Sequence, residues 1–238
     1  MEKLQIKKTI SDGIVYGLKN VGSLIVMVLL YVITVWIPWL NVGTTVGLYK
    51  AIVKIGRGEV VNPTSIFDQE NRKNLGDFFL LLGLVSIGTA AATAFMFFPG
   101  IVVGLAWEFA VLFLIDKKLA PHKSLKVSWK VTEGEKWTMF WIYVITCLVF
   151  GIVAGLFFGL GHIRYVGWLF YILGVAVYIL MFAAIVAIEG VMYKHFSDKA
   201  DEMFADRACG CHHGPAAPEA PAPAPSACGA AAPEAPAK

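Results

Sequence analysis

Residues 137–188 read WTMFWIYVITCLVFGIVAGLFFGLGHIRYVGWLFYILGVAVYILMFAAIVAI, and Arg164 is the only Lys, Arg, Asp or Glu among them. Two apolar runs, Trp137 to Leu160 and Tyr165 to Ile188, flank the turn Gly161, His162, Ile163, Arg164. A helix needs about 20 apolar residues to cross a bilayer core, so each run is long enough. The short turn returns the second antiparallel to the first. In lipid every backbone polar group must be satisfied internally, which leaves only helices and closed barrels. Runs of this length without alternation predict helices, and hence an all-α membrane bundle.

Two further hairpins precede this one. Val21 to Ile37 and Val42 to Ile55 flank the turn Pro38, Trp39, Leu40, Asn41. Leu75 to Phe98 and Ile101 to Ile115 flank a break at Pro99 and Gly100. Six transmembrane helices in three hairpins are therefore expected over residues 21–195. Val42 to Ile55 is the shortest run; its Lys50 and Lys54 could snorkel to the interface, or the segment could be re-entrant. Residues 1–20 mix charged and apolar positions and lack the apolar stretch and cleavage site of a signal peptide. They read as an interfacial amphipathic helix, and 196–238 as a tail. With 58% hydrophobic residues, 16% charged and a mean hydropathy of +0.68, the chain departs from the soluble norm. No basic face of the nucleic-acid-binding kind is present.

Charge placement supports the pairing. Lys3, Lys7, Lys8 and Lys19 precede the first span; Lys50, Lys54, Arg57, Arg72 and Lys73 lie near the second connection; Lys117, Lys118, Lys123, Lys126, Lys130 and Lys136 lie near the fourth. The hairpin tips hold one basic residue, Arg164, besides His162. Loops rich in Lys and Arg stay in the cytoplasm, so both termini are expected there.

Small residues recur at four-residue spacing in three spans: Gly43 and Gly47, Gly100 and Gly104, and Gly151, Gly155 and Gly159. That spacing lets a neighbouring backbone approach, so these are expected packing faces, within the chain or between copies. The cytoplasmic segments RGEVVNPTSIFDQENRKNLGDF (57–78) and DKKLAPHKSLKVSWKVTEGEKW (116–137) each carry Pro, then Ser, then apolar residues spaced for a short helix. In the second, Lys123, Lys126 and Lys130 interleave with Leu125, Val127 and Trp129, as in a helix lying among anionic headgroups.

The run FPGIVVGLAWEFAVLFLIDKKLAPHKSLKVSWKVTEGEKW (98–137) resembles a broad group of bacterial inner-membrane proteins. The group includes the YciC type and the membrane domain attached to some glycerophosphodiester phosphodiesterases. The positions that carry the likeness are Pro99, Gly100, Asp116, Pro121, Ser128, Trp129, Thr132 and Gly134, with Gly56, Gly58, Pro63, Ser65 and Phe67 forming a second element. The resemblance spans most of residues 20–195 and implies the membrane fold, with the bundle in a bacterial inner membrane. It implies no activity, since the phosphodiesterase chemistry of such proteins belongs to a separate soluble domain.

Ionisable groups inside spans are functional candidates, and Glu108 in GLAWEFAVL is the foremost, with Ser86, Thr89 and Thr93 of the preceding span as expected hydrogen-bond partners. HExxH, GxSxG and P-loop patterns are absent from the sequence, so no catalysis is expected. From Ala208 to Lys238, 19 of 31 residues are Ala or Pro, too few large apolar groups to build a core. Within this stretch Cys209, Cys211, His212, His213 and, at a distance, Cys228 form a soft donor set suited to Zn(II), Cu(I) or Ni(II), though not with structural zinc spacing. Two functions are open on these residues. One is a scaffold that binds membrane lipids or partner proteins, including copies of itself. The other is a small-solute or metal-ion transporter with Glu108 in the path and the tail capturing metal.

Overall fold

The computed structural model describes residues 3–73, 75–162 and 167–210, without side-chain detail at 38 and 206–210. Its α-helices are α1 (Ile6–Thr34), α2 (Pro38–Gly56), α3 (Leu75–Phe95), α4 (Phe97–Trp107), α5 (Ala110–Asp116), α6 (Pro121–Val131), α7 (Lys136–Leu160) and α8 (Gly167–Gly210). Two short 3-10 turns, Pro63–Phe67 and Gln69–Arg72, lie between α2 and α3. No strand occurs among the described residues, so the all-α expectation holds.

Five helical stretches are long and apolar enough to cross a membrane: Ile6–Thr34, Leu75–Phe95, Phe97–Asp116, Lys136–Leu160 and Gly167–Ala205. The expected sixth, α2, is not one of them, because Asn41, Thr44, Thr45, Lys50 and Lys54 dilute its apolar content. Its surroundings explain this. No residue from 41 to 53 is exposed, and α2 is enclosed by α1, α5, α8 and the 3-10 turns. A helix lined by protein does not need a lipid-facing surface.

The ends of the elements differ from the sequence expectation at four places. First, residues 6–20 are not a separate interfacial helix but the opening turns of α1. Nothing in them breaks a helix, and Thr9, Gly13, Gly17, Asn20, Leu24 and Met27 form one continuous buried stripe. Second, the α3–α4 break falls at Met96, in extended conformation at φ −159°, rather than at Pro99 and Gly100. Pro99 sits in the first turn of α4, where its missing N–H is no loss. Third, α8 does not end near 195. Its 44 residues span about 66 Å at 1.5 Å per residue, and Phe196, Ser197 and Ala200 are buried, so the first part of the expected tail belongs to the bundle. Fourth, the 57–78 segment forms 3-10 turns instead of an elbow helix, with Pro63 at the first position and the Asn62 side chain accepting from the Thr64 N–H at 3.2 Å. Its counterpart, α6, is the helix expected.

All three hairpins point the same way. At one end, Leu4 reaches Glu135 at the start of α7, and Arg57 after α2 reaches Asp116 at the end of α5, beside Tyr193 of α8. This is the basic end. At the other end lie the tips, where exposed Trp36, Trp39 and Trp168 stand. A second set of exposed indoles, Trp129, Trp137 and Trp141, marks the basic end. Trp belongs at membrane–water boundaries. From Trp141 to Leu160 α7 rises about 29 Å, close to the bilayer core of about 30 Å.

The close helix contacts are not at most of the expected glycines. A Cβ on Gly17 would come within 2.7 Å of the Ala183 carbonyl oxygen, and Gly13 and Gly56 face Ile188 and Gly190 of α8 as tightly. Of the expected faces, Gly100 and Gly104 meet Thr93 and Thr89 of α3, whereas Gly43 and Gly47 meet Arg72 and Ile66 of the connecting segment. No other part of the described chain lies within 4 Å of where a Cβ would stand on Gly151, Gly155 or Gly159, so that strip is not a packing face among the described residues. Gly17→Leu should therefore lower the thermal midpoint in detergent, at a cost of about 1–3 kcal/mol for overpacking, and Gly155→Leu should leave it within error. Equal midpoints for the two variants would refute this assignment.

Candidate functional site

The basic end carries most of the polar structure. Asp116 accepts two hydrogen bonds from Arg57 Nη2, at 2.9 and 2.7 Å, and one from the Tyr193 hydroxyl at 2.8 Å. Glu135 is nearly buried and accepts from the Leu4 N–H at 3.1 Å and from Lys199 Nζ at 2.9 Å, with His195 Nε2 at 3.0 Å. Burial pushes the Glu135 carboxyl up, but the hydrogen bonds from Lys199 and Leu4 and the charges of Lys199 and His195 outweigh it and hold the group below its ordinary value. Sequence reading singled out Asp116 but not its partners, and it missed Glu135, because each carboxylate acts on residues more than 55 positions away.

Between α2, α3, α5 and the Gln69–Arg72 turn lies an open cleft of about 350 Å³. Val46, Val53, Phe78 and Leu114 supply apolar wall, while Lys50, Lys54, Arg57, Lys73 and Lys118 bring positive charge against Asp68, Glu70, Asp77 and Asp116. Glu70 lies 3.4 Å from Lys50 Nζ and 3.7 Å from Lys118 Nζ. Lys50 and then Lys118 lower its pKa. The connecting segment that forms one wall is anchored by two buried asparagines. Asn71 Nδ2 donates to the carbonyls of Ser65 and Ile66, and Asn20 accepts from the Val61 N–H and donates to the Glu59 carbonyl.

Beside the cleft, α6 lies with Pro121, Ser124, Ser128 and Val131 buried and Lys123, Lys126 and Lys130 exposed. The three expected headgroup lysines thus share the solvent side. Trp129 is exposed next to them, and Lys136 Nζ lies 3.9 Å above its ring.

Glu108 occupies a two-residue interruption between α4 and α5. The helix ladder is broken there, and the Ala106 carbonyl accepts from the Ser128 hydroxyl at 2.6 Å. The Glu108 carboxyl accepts from the Tyr143 hydroxyl of α7, and its Oε2 has no partner among the described residues. Glu189 of α8 is within electrostatic range of both. The expected partners do not reach it. Ser86 is exposed, Thr93 bonds back to the Thr89 carbonyl at 2.8 Å, and the Thr89 hydroxyl is unpartnered among the described residues. The Trp107 ring fills the space at Gly88 of α3, which turns the next side chain toward α7. Glu108 is mid-span by count, yet Tyr143 is two residues from the boundary residue Trp141, so the carboxyl lies near the basic-side edge of the apolar band.

Of the metal candidates, Cys211, His212, His213 and Cys228 lie outside the described residues, as does the Cys209 side chain. Among the described residues no group of three His, Cys, Asp or Glu is placed to hold a metal ion. His162 is exposed at its hairpin tip, with Nδ1 3.1 Å from the Phe158 carbonyl. The chain matches no family model, and neither a curated protein nor a solved structure is similar to it.

Because the folded Glu135 carboxyl titrates below its unfolded value, its stabilisation is complete above about pH 4.5 and is lost as pH falls through the lower folded value. Glu135→Ala should cost about 3 kcal/mol at neutral pH, since it strands Lys199. The melting midpoints of parent and variant in detergent should converge as the pH falls through that lowered folded value. A difference that persists in acid would show that the ion pairs are not its source.

Proposed function

We propose that this polytopic membrane protein is a non-catalytic component of the bacterial inner membrane that binds anionic phospholipid at its cytoplasmic face. The observation that carries the reading is α6, held to the bundle by its Ser124, Ser128 and Val131 side and presenting Lys123, Lys126 and Lys130 beside Trp129. This is the arrangement of a helix at the level of lipid headgroups, with amines outward and an indole at the boundary. The excess of Lys and Arg at this end supports a cytoplasmic orientation with both termini inside. The resemblance to the YciC type supports the same setting.

The test is native mass spectrometry of the detergent-released protein titrated with phosphatidylglycerol and phosphatidylcholine. Each interfacial lysine contributes about 1 kcal/mol toward an anionic surface. Replacing Lys123, Lys126 and Lys130 by Gln should weaken phosphatidylglycerol retention by about tenfold or more and leave phosphatidylcholine unaffected. An unchanged preference for the anionic lipid would refute the reading.

A second reading has one observation in its favour. Interrupted helices at membrane depth occur where backbone is buried in protein or lines a path for substrate, and α4–α5 is interrupted at an ionisable residue. In this reading Glu108 serves a transported cation or solute, and the Cys209–His213 cluster collects metal on the cytoplasmic side. Proteoliposomes loaded with Zn(II), Ni(II) or a pH dye should then show flux that Glu108→Gln abolishes. Equal flux in protein-free vesicles would dismiss it.

A further inference from the structure

We infer that the cleft between α2, α3 and α5 is a binding site for a single phosphate group, and that Glu70 occupies the phosphate position when the site is empty. This goes beyond the lipid reading above, because the α6 lysines form no part of the cleft. Three features carry it. Lys50 from α2 and Lys118 from the α5–α6 turn come from distant parts of the chain and converge on one carboxylate, at 3.4 and 3.7 Å. That carboxylate is more than half exposed, on a 3-10 turn of four residues, so it is held by charge and not by packing. Lys118, finally, has φ +50°, a left-handed conformation that costs energy in a residue other than Gly.

The charges fit one phosphate. Lys54 and Lys73 also line the cleft, and neither has an ion-pair partner among the described residues. With Glu70 withdrawn, the five cationic side chains face three carboxylates, Asp68, Asp77 and Asp116. The surplus of two positive charges matches a phosphomonoester dianion and more than covers the single charge of a phosphodiester, and the acids disfavour a polyanion. Arg57 is already engaged in two hydrogen bonds with Asp116, so it sets the floor of the site and leaves the lysines to bind. The size is adequate, since small-molecule sites run from about 300 Å³ upward. The phosphate could belong to a lipid headgroup, with the acyl chains against Phe78 and Leu114, or to a soluble phosphate ester.

The test is isothermal titration of the full chain in neutral detergent with glycerol phosphate and, separately, with dihexanoyl phosphatidylglycerol. Glu70→Gln removes the competing carboxylate and should tighten binding several-fold. Lys118→Gly keeps the backbone conformation, removes the amine, and should weaken binding by about tenfold, in line with loss of one close charge. Its melting midpoint should not fall, which separates loss of the site from loss of the fold. Binding of both probes assigns a soluble ester as a ligand, and binding of the lipid alone assigns the headgroup. The variant lacking Lys123, Lys126 and Lys130 should bind glycerol phosphate as the parent does, which separates this site from the lipid reading. No binding of either probe, or affinities unchanged by both Glu70→Gln and Lys118→Gly, would overturn the inference.

Discussion

The bundle depends on how near α1 and α2 can come to α8. Gly13, Gly17 and Gly56 present bare backbone to Ala183, Ala184, Ile188 and Gly190, and at those positions a side chain would force the helices apart. In lipid there is little hydrophobic force between helices, so association rests on close van der Waals contact and hydrogen bonding. Close approach on one helix therefore sets the placement of the rest. Met27, Ala51, Ile55, Ala183 and Ala187 form the core at that seam, and α2, enclosed by it, is freed from the need to be apolar along its whole length.

Below the apolar band the same α8 continues as the centre of a second core. Phe109, Phe113, Tyr193 and Phe196 stack against one another at 5.2 to 6.3 Å, and the Asp116 and Glu135 carboxylates tie α2, α5, α7 and the N-terminal segment to it. The protein is thus anchored at one end by aromatic packing and ion pairs, while the hairpin tips carry exposed Phe95, Phe97 and Phe98 and the boundary indoles. This asymmetry places both the cleft and α6 at the end where the chain is most firmly held. A binding site gains from such rigidity because its charged groups need no further ordering.

The Pro, Gly, Ser, Thr and Asp positions singled out in the sequence have structural explanations here. Asp116 joins Arg57 to Tyr193, Ser128 satisfies a carbonyl released by the α4–α5 interruption, and Thr132 bonds back to Ser128. Gly58 and Gly134 adopt φ of +79° and +84°, which turn the chain as α2 ends and before α7 begins. Pro63 and Pro121 open their helical turns. Such residues build the elbow between the helices.

Length and apolar content of the runs determined the helices, since a stretch such as Trp137 to Leu160 has no other stable form in lipid. The Lys and Arg count determined which ends of the hairpins gather, because charge is costly in the bilayer wherever the partners are. The row Lys123, Lys126 and Lys130 was legible for the same local reason: helical period alone puts those side chains on one face. What only the tertiary structure decided depends on contacts between distant residues. Whether a glycine pairs is a property of its neighbour, so Gly17 and Gly56 pack while the more regular Gly151, Gly155 and Gly159 stand open. The partner of Glu108 is Tyr143 because Trp107 claims the space toward α3. The meeting of Lys50, Glu70 and Lys118 joins three segments with no local signal between them. Sequence periodicity reports what a residue does to its own helix, and a site made by several elements exists only once those elements are packed.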